Sequence, residues 1–325
     1  MDYRWLVTGG AGYIGSHVAR SLRAAGLDVV VLDDLSSGFA AFVDDGVPIV
    51  VGSVTDPAVV AGVLADHDIA GVVHLAGLKY AGVSVDEPLV FYRVNVEGTR
   101  VLLEAMAAAG VGRLVFSSSS SVYGTPMIAS VDESTPVGPE SPYGETKLIG
   151  EWLVAAAARA HGLAHTSLRY FNVVGSGHDD RYDASAHNLF PKVFRALEAG
   201  ERPVVHGTDY DTPDGSCVRD YIHVGDLADG HVAACRRLAE GVAVRPAYNI
   251  ATGTGASVLE VLAAIRRVTG IDTDPVLGPR RAGDPARIVA TGAAARADLG
   301  WHPRHDLDSM VATAWRAWQA SSLSS

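Results

Sequence analysis

An apolar run at Trp5-Leu6-Val7 leads into Thr8-Gly9-Gly10-Ala11-Gly12-Tyr13-Ile14-Gly15, and a helix-like stretch over 14–25 follows. No other segment constrains the fold as much. Glycines at 9, 12 and 15 allow a tight turn, close approach of the backbone to a pyrophosphate, and tight packing of helix on strand. The start of the helix then offers free N–H groups and a partial positive charge to phosphate oxygens. Between a strand and a helix, this spacing points to a dinucleotide. The next apolar run, 29–32, ends in Asp33-Asp34. That is about 20 residues past the glycines, where a carboxylate meets the adenosine ribose. A carboxylate there accepts hydrogen bonds from a free 2′-hydroxyl and repels a 2′-phosphate, so Asp33 argues for NAD over NADP.

Short β-rich runs at 5–7, 29–32, 47–51, 71–75, 113–117 and 165–169 alternate with helical stretches at 14–25, 58–66, 88–110 and 143–161. A parallel crossover needs a dozen or more residues, so this alternation implies a doubly wound, Rossmann-type α/β fold with a parallel sheet. Past Tyr170 the pattern loosens into Gly-, Asp- and Pro-rich stretches with shorter helices at 191–199, 258–269 and 310–319. The expected organisation is a cofactor domain over 1–170 and a smaller, partly interleaved α/β substrate domain over 171–325. Segments around 217–250 are expected to return in part to the first domain.

The balance of 26 Lys and Arg against 37 Asp and Glu gives a net charge of −11 in 325 residues, which disfavours nucleic acid and anionic membranes as partners. Apolar runs are far short of the ~20 residues that span a bilayer. The N-terminus runs directly into a strand pattern without the features of a secretory signal. Cys217 and Cys235 form neither a CxxC pair nor a zinc quartet, so no metal site is expected, and the usage suits a reducing, cytoplasmic setting.

The run Ser117-Ser118-Ser119-Ser120-Ser121-Val122-Tyr123 and the downstream Tyr143-Gly144-Glu145-Thr146-Lys147 carry the chemistry. Tyr143 and Lys147 are four apart, hence on one helix face. A phenol of reference pKa ~10 is a poor base at neutral pH, but a nearby ammonium and a positive nicotinamide ring both favour phenolate. A serine from the adjacent loop can share a proton with a substrate hydroxyl and hold it against Tyr143.

With these residues in view, the chain resembles the extended short-chain dehydrogenase/reductases and, within them, the NAD-dependent sugar-nucleotide epimerases. The likeness runs through the glycine turn, His74-Leu75-Ala76-Gly77-Leu78-Lys79, Asn95-Val96-Glu97-Gly98-Thr99, the serine run, Ser141-Pro142-Tyr143, Leu168-Arg169-Tyr170-Phe171-Asn172, Val218-Arg219-Asp220-Tyr221-Ile222-His223-Val224 and Pro279-Arg280-Arg281-Ala282-Gly283-Asp284. The resemblance implies interconversion of UDP-galactose and UDP-glucose through a transient 4-keto sugar, with tightly bound NAD. It makes Ser119, Tyr143 and Lys147 the catalytic trio. It assigns NAD to Gly9, Gly12, Tyr13, Ile14, Gly15, Asp33, Asp34, Leu35, Ser36, Ser37, Gly38, Ser53, Val54, Leu75, Ala76, Gly77, Lys79, Asn95 and Phe171, beside Tyr143 and Lys147. It assigns the UDP-sugar to Asn172, Asn188, Leu189, Val204, His206, Arg219, Tyr221, Arg281, Asp284 and Ile288, with Ser121 and Tyr123 lining the same pocket beside Lys79, Ser119 and Tyr143. It also implies a homodimer through helices 88–110 and 143–161, whose alanine and leucine content exceeds the needs of one core.

Three positions depart from the family pattern. Ser53 stands where an acidic residue usually meets the adenine, His206 where an aromatic packs near the uridine, and Ile288 where a residue gates the sugar's 2-substituent. Arg219 and Arg281 suit a diphosphate, although without the resemblance they read as surface arginines paired with Asp220 and Asp284. An N-acetylhexosamine or pentose 4-epimerase is the neighbouring alternative. A 4,6-dehydratase on the same fold would need an acid–base pair just after the catalytic serine, where this chain has Ser120-Ser121. A non-catalytic nucleotide sensor would have no need of the Tyr143–Lys147 pair.

Overall fold

The computed structural model describes residues 4–281 and 285–322. Its first half runs β1 (Arg4–Thr8), α1 (Tyr13–Ala24), β2 (Asp28–Asp33), β3 (Ile49–Val51), α2 (Pro57–Asp66) and β4 (Ile69–His74). Then come α3 (Ala81–Asp86), α4 (Pro88–Phe91), a π-helical turn (Tyr92–Glu97), α5 (Gly98–Ala109), β5 (Arg113–Ser117), α6 (Pro142–His161) and β6 (Ala164–Tyr170). The second half contains β7 (Asn172–Val174), α7 (Leu189–Glu198), β8 (Val204–His206), β9 (Val218–Arg219), β10 (Tyr221–His223), α8 (Val224–Ala239) and β11 (Ala247–Ile250). It closes with β12 (Ala256–Ser257), α9 (Val258–Thr269), β13 (Val276–Gly278), β14 (Arg287–Ile288), α10 (Ala293–Leu299) and α11 (Leu307–Ser322).

Seven strands form one parallel sheet in the order β11-β6-β5-β4-β1-β2-β3. Alternate side chains of a strand face opposite sides of its sheet. Along β1, Trp5 and Val7 enter a core with Val18, Leu22, Leu227 and Trp301, whereas Leu6 enters a second core with Leu64, Leu102 and Met106. Both faces are thus covered, as the near-continuous apolar runs require. Chain order reverses between β1 and β4, and in open α/β sheets the crevice at the carboxyl ends of such a pair receives the ligand.

The second half builds a separate apolar cluster on Phe190, Phe194, Leu262, Ile265, Val311 and Trp318, contributed by α7, α9 and α11. It also contributes to the first unit, since β11 pairs with β6 at the sheet edge. Two expected elements change shape. The strand expected over 47–51 shortens to β3, and the helix expected over 88–110 is broken into α4, the π turn and α5. Cys217 and Cys235 are both buried. Among the described residues no helix is long and apolar enough to cross a membrane.

Candidate active site

Steric closeness explains the glycines of the first turn. Gly9 has φ +70°, and a Cβ there would lie 2.7 Å from the Ala76 nitrogen. A Cβ on Gly15 would lie 2.0 Å from the Gly9 carbonyl oxygen. Gly12 caps α1 without a side-chain hydrogen bond, so the first-turn N–H groups of Tyr13 and Ile14 lack an intrahelical partner. The Tyr13 hydroxyl donates to the Gly175 carbonyl at 2.6 Å, which leaves its backbone N–H for a ligand. A backbone cradle with no room for side chains fits a pyrophosphate.

At the end of β2, the Asp33 carboxylate accepts from Ala11 N–H and Leu35 N–H, each at 2.9 Å and each on a different oxygen. Every oxygen keeps a lone pair for a ribose hydroxyl. Burial raises the Asp33 pKa, and the two N–H groups oppose it. Asp34 accepts from the Ser36 N–H and hydroxyl, and a Cβ on Gly38 would crowd Ala11, so residues 34–38, including Leu35 and Ser37, fold back over the glycine turn. Ser53 turns its hydroxyl into its own loop, at 2.9 Å from that of Thr55, while Val54 is buried against Gly98.

The segment after β4 is suspended at two points. Leu75 N–H donates to the Thr8 carbonyl and Ala76 N–H to the Thr8 hydroxyl. From the π turn, Asn95 accepts from Leu78 N–H at 2.7 Å and donates to Leu78 O and to the Thr146 hydroxyl, both at 3.0 Å. Both amide hydrogens of Asn95 therefore serve to place the Gly77–Lys79 loop, and a ligand contact would use its remaining carbonyl lone pair. Lys79 is exposed, with its ammonium 5.5 Å from the Tyr80 ring centroid. His74 is buried between the hydroxyls of Thr8 and Thr99 at 2.7 and 3.1 Å. Burial lowers its pKa to about 3, so it is a neutral spacer.

The serine run ends β5 and turns through a short 3-10 helix, Ser120–Tyr123, capped by Ser119. Helix α6 starts with Pro142 after the Ser141 cap. It lies close to the sheet, because a Cβ on Gly150 would sit 2.4 Å from the Phe116 ring. This approach brings Tyr143 and Lys147 against the serine turn. The Ser119 side chain stands near enough to the Tyr143 phenol to favour its charged form, and its hydroxyl donates to the Ser121 hydroxyl at 3.2 Å. Lys147 donates to the Ser117 carbonyl at 2.9 Å and stands 5.9 Å from the Tyr143 ring centroid.

The electrostatics differ from the expectation of a phenol held down by its lysine. Burial raises the Tyr143 pKa, and the opposing contribution comes from Ser119. Burial also lowers Lys147 to about 8. Desolvation disfavours both charged forms.

On the substrate side, Asn172 is exposed at the start of β7, next to the buried Phe171. Asn188 caps α7 ahead of Leu189, its amide donating to Asp183 at 2.6 Å. Val204 is 49% exposed on β8, the strand that also carries His206. The pairing of Arg219 with Asp220 does not form. Asp220 is fully buried and accepts from Thr252 N–H, the Thr252 hydroxyl and Gly253 N–H at 2.9, 2.7 and 3.0 Å. Asp284 lies outside the described residues. Sequence reasoning missed Lys192 of α7, whose pKa is lowered by partial burial and by repulsion from Arg281 and Arg195.

Two expected pocket residues are as buried as the Ser119, Tyr143 and Lys147 set. Tyr123 is 3% exposed, and its hydroxyl donates to Asn249 Oδ1 and accepts from Arg169. Tyr221 is buried edge-on against Phe190. Ile288 packs with Phe171, Val122, Tyr123 and Leu148, so it forms a fixed wall rather than a free side chain.

A doubly wound parallel sheet, a glycine cradle at its switch point and a serine–tyrosine–lysine set on the facing helix define a short-chain dehydrogenase/reductase-type protein. The chain belongs to the NAD dependent epimerase/dehydratase family, which matches residues 5–251. It is 42% identical over 321 residues to a UDP-glucose 4-epimerase of Lactobacillus helveticus, covering 97% of each chain. It is 43% identical over 331 residues to that of Streptomyces lividans, covering 99% of this chain and 97% of the relative. Among solved structures, a Stenotrophomonas maltophila UDP-glucose 4-epimerase with bound NAD and formylated UDP-arabinopyranose aligns with a TM-score of 0.94 at 37% identity, over 99% of this chain and 100% of that one.

Proposed function

We propose that this chain is a UDP-glucose 4-epimerase, interconverting UDP-galactose and UDP-glucose with tightly bound NAD. The carrying observation is the juxtaposition of Ser119, Tyr143 and Lys147, with the Lys147 ammonium 5.9 Å from the Tyr143 ring centroid and Ser119 favouring the charged phenol. Tyr143 takes the proton of the sugar 4-hydroxyl while Ser119 holds the oxygen in place. Lys147 supplies positive charge behind the phenol. The glycine cradle and Asp33 would hold NAD, whose nicotinamide would supply the acceptor and donor for the carbon-4 hydride. The sugar passes through a 4-keto form, turns its other face, and receives the proton back from Tyr143. Arg219 and Arg281 hold the diphosphate, whose remote binding energy retains the keto sugar while it rotates, and Asn188 and Asp284 contribute to holding the rest of the UDP-sugar. Residues 1–170 form the cofactor unit and 171–325 the substrate unit, with β11 serving the first.

Ser120 and Ser121 follow the catalytic serine and cannot titrate near neutrality, which disfavours dehydration. Incubation with UDP-galactose, without added NAD, is expected to yield UDP-glucose. A stable 4-keto-6-deoxy product or no turnover would overturn the reading.

Ile288 sets the tolerance for a 2-acetamido group. Being β-branched and packed in its cluster, it cannot swing aside. Glucose and galactose forms are preferred over N-acetyl sugars and pentoses. Ile288→Ala is expected to raise kcat/KM for UDP-N-acetylglucosamine relative to UDP-glucose by ~10-fold or more, within the usual range for pocket size. It also loses about 2–4 kcal/mol of stability, as a buried truncation. Kinetics on both sugars decide the point, and an unchanged ratio rejects the gate.

The working form is a cytoplasmic homodimer built on α5 and α6. Trp152 on α6 is 60% exposed, and an apolar groove between the two helices is lined by Leu103, Met106, Ala107 and Ala157. Light scattering is expected to give twice the 33.9 kDa chain mass at micromolar concentration, and Trp152→Glu to shift it toward the monomer. A wild-type monomer mass contradicts the interface.

A further inference from the structure

Behind the reacting groups lies a buried polar chain that the proposed reaction does not use. Arg169 on β6 donates Nε and Nη2 to the two carboxylate oxygens of Glu151 on α6, at 2.8 and 2.6 Å. Its Nη1 donates to the Tyr123 hydroxyl at 3.0 Å, and the guanidinium carbon lies 5.2 Å from that ring's centroid. Glu151 Oε1 also accepts from the Ser118 hydroxyl at 2.6 Å. The Tyr123 hydroxyl donates onward to Asn249 Oδ1 on β11 at 2.8 Å. The pair is nearly dry, with side-chain exposures of 9% for Arg169 and 11% for Glu151.

Ser118 and Tyr123 are the two ends of the turn that carries Ser119. One ion pair therefore grips the turn from both sides, through β6, α6 and β11. A buried ion pair contributes little net stability compared with apolar residues of the same volume. A forked guanidinium on a carboxylate instead supplies fixed direction. Direction matters here, because a displacement of about 1 Å in a reacting group can cost 10²-fold in rate.

We infer that Arg169, Glu151 and Tyr123 are positioning residues, which clamp the serine turn so that the Ser119 hydroxyl faces Tyr143. The inference rests on the catalytic roles proposed above for Ser119 and Tyr143. It also gives Tyr123 a role in place of the expected substrate contact.

The test is Tyr123→Phe, which removes one hydroxyl and no volume, together with Ser118→Ala, which frees the other end of the turn. Both are made in the full-length protein with its cofactor. A loosened turn weakens the Ser119 contribution that lowers the Tyr143 phenol, so the acid limb of kcat moves to higher pH. The groups facing Tyr143 are Lys147 on α6, Ser119 on the turn, Tyr170 on β6 and Ser84 on α3, with His74 of β4 behind Lys147. Neither substitution alters any of them. For each variant, kcat on UDP-galactose is expected to fall ~10-fold with KM changed by less than about twofold.

Phenolate absorbance, taken as the difference between each protein and its Tyr143→Phe counterpart, is expected to shift to higher pH as well. This readout needs no turnover, so it decides the positioning role even if the wild type proves inactive on UDP-sugars. A lower unfolding temperature with kcat, its acid limb and the phenolate titration all unchanged would make the network purely structural and overturn the inference.

Discussion

Tyr143→Phe is expected to lower turnover of UDP-galactose by ~10²-fold or more, the usual loss when an acid–base group is removed, while UDP-sugar and NAD binding stay close to wild type. The variant loses a single oxygen. Its ring still fills the same buried volume, and any hydrogen bond lost with a single hydroxyl is worth only about 0.5–1.5 kcal/mol of stability. The fold should therefore persist, and the defect should fall on kcat rather than KM. In the wild type, burial keeps the phenol protonated at neutral pH, so the rate should climb with pH as the phenolate fraction grows. That climb should vanish in Tyr143→Phe. Steady-state kinetics over a pH series tests both points, and near-normal turnover in the purified variant removes Tyr143 from the mechanism.

Lys147→Met is expected to make the protein more stable without its cofactor and less active with it. The Lys147 ammonium is fully buried, with one carbonyl, that of Ser117, as its hydrogen-bond acceptor. Burial holds its pKa at about 8, below the ordinary lysine value. Below pH 8 the folded and unfolded chains are both charged, and the burial penalty is constant. Between pH 8 and the ordinary lysine value the unfolded chain binds more protons, so stability rises with pH across that window. Methionine has similar length and no charge. It relieves the penalty but leaves Ser117 without its donor, for a net gain of ~1–2 kcal/mol. Thermal unfolding should shift upward by several degrees at pH 7, and the rise in stability above pH 8 should flatten. Turnover should fall by ~10²-fold or more, because the positive charge behind the phenol is gone. A less stable Lys147→Met protein would mean that the lysine is held by more than its burial implies.

The elements legible in the sequence are those with local causes. The glycine turn, the strands of the central sheet and helices α1, α2, α6 and α9 follow from apolar periodicity and from caps such as Asp56, Ser141 and the Ser257–Glu260 box. Helix α8 carries no such local signal. Gly225, Gly230, two aspartates and a histidine dilute its periodicity, and it is stabilised by packing on α1 and the sheet rather than by propensity. The chemistry-bearing residues were legible because the motif names them, whereas their neighbours were not. Tyr123 and Tyr221 stand in the motif string as pocket residues, and the string does not show that both are buried among partners such as Asn249 and Phe190. Asp220 next to Arg219 looks like half of a surface pair, yet it faces the backbone of residues 252–253, more than thirty positions away in the chain. Such choices depend on partners distant in sequence, which a local pattern does not encode.

The π turn at Tyr92–Glu97 also bears on how this family can vary. A π turn holds one residue more than an α-helix would place over the same rise, and each helical residue rotates the chain by about 100°. Deleting one residue within 92–97 would restore a regular helix. It would also swing Asn95 about a quarter-turn around the axis, away from Leu78 and Thr146 and from the loop they suspend. Residue type can drift here, as at the exposed Arg93, but residue count cannot. Insertions and deletions should therefore be filtered out of this stretch even where its surface positions are free to change.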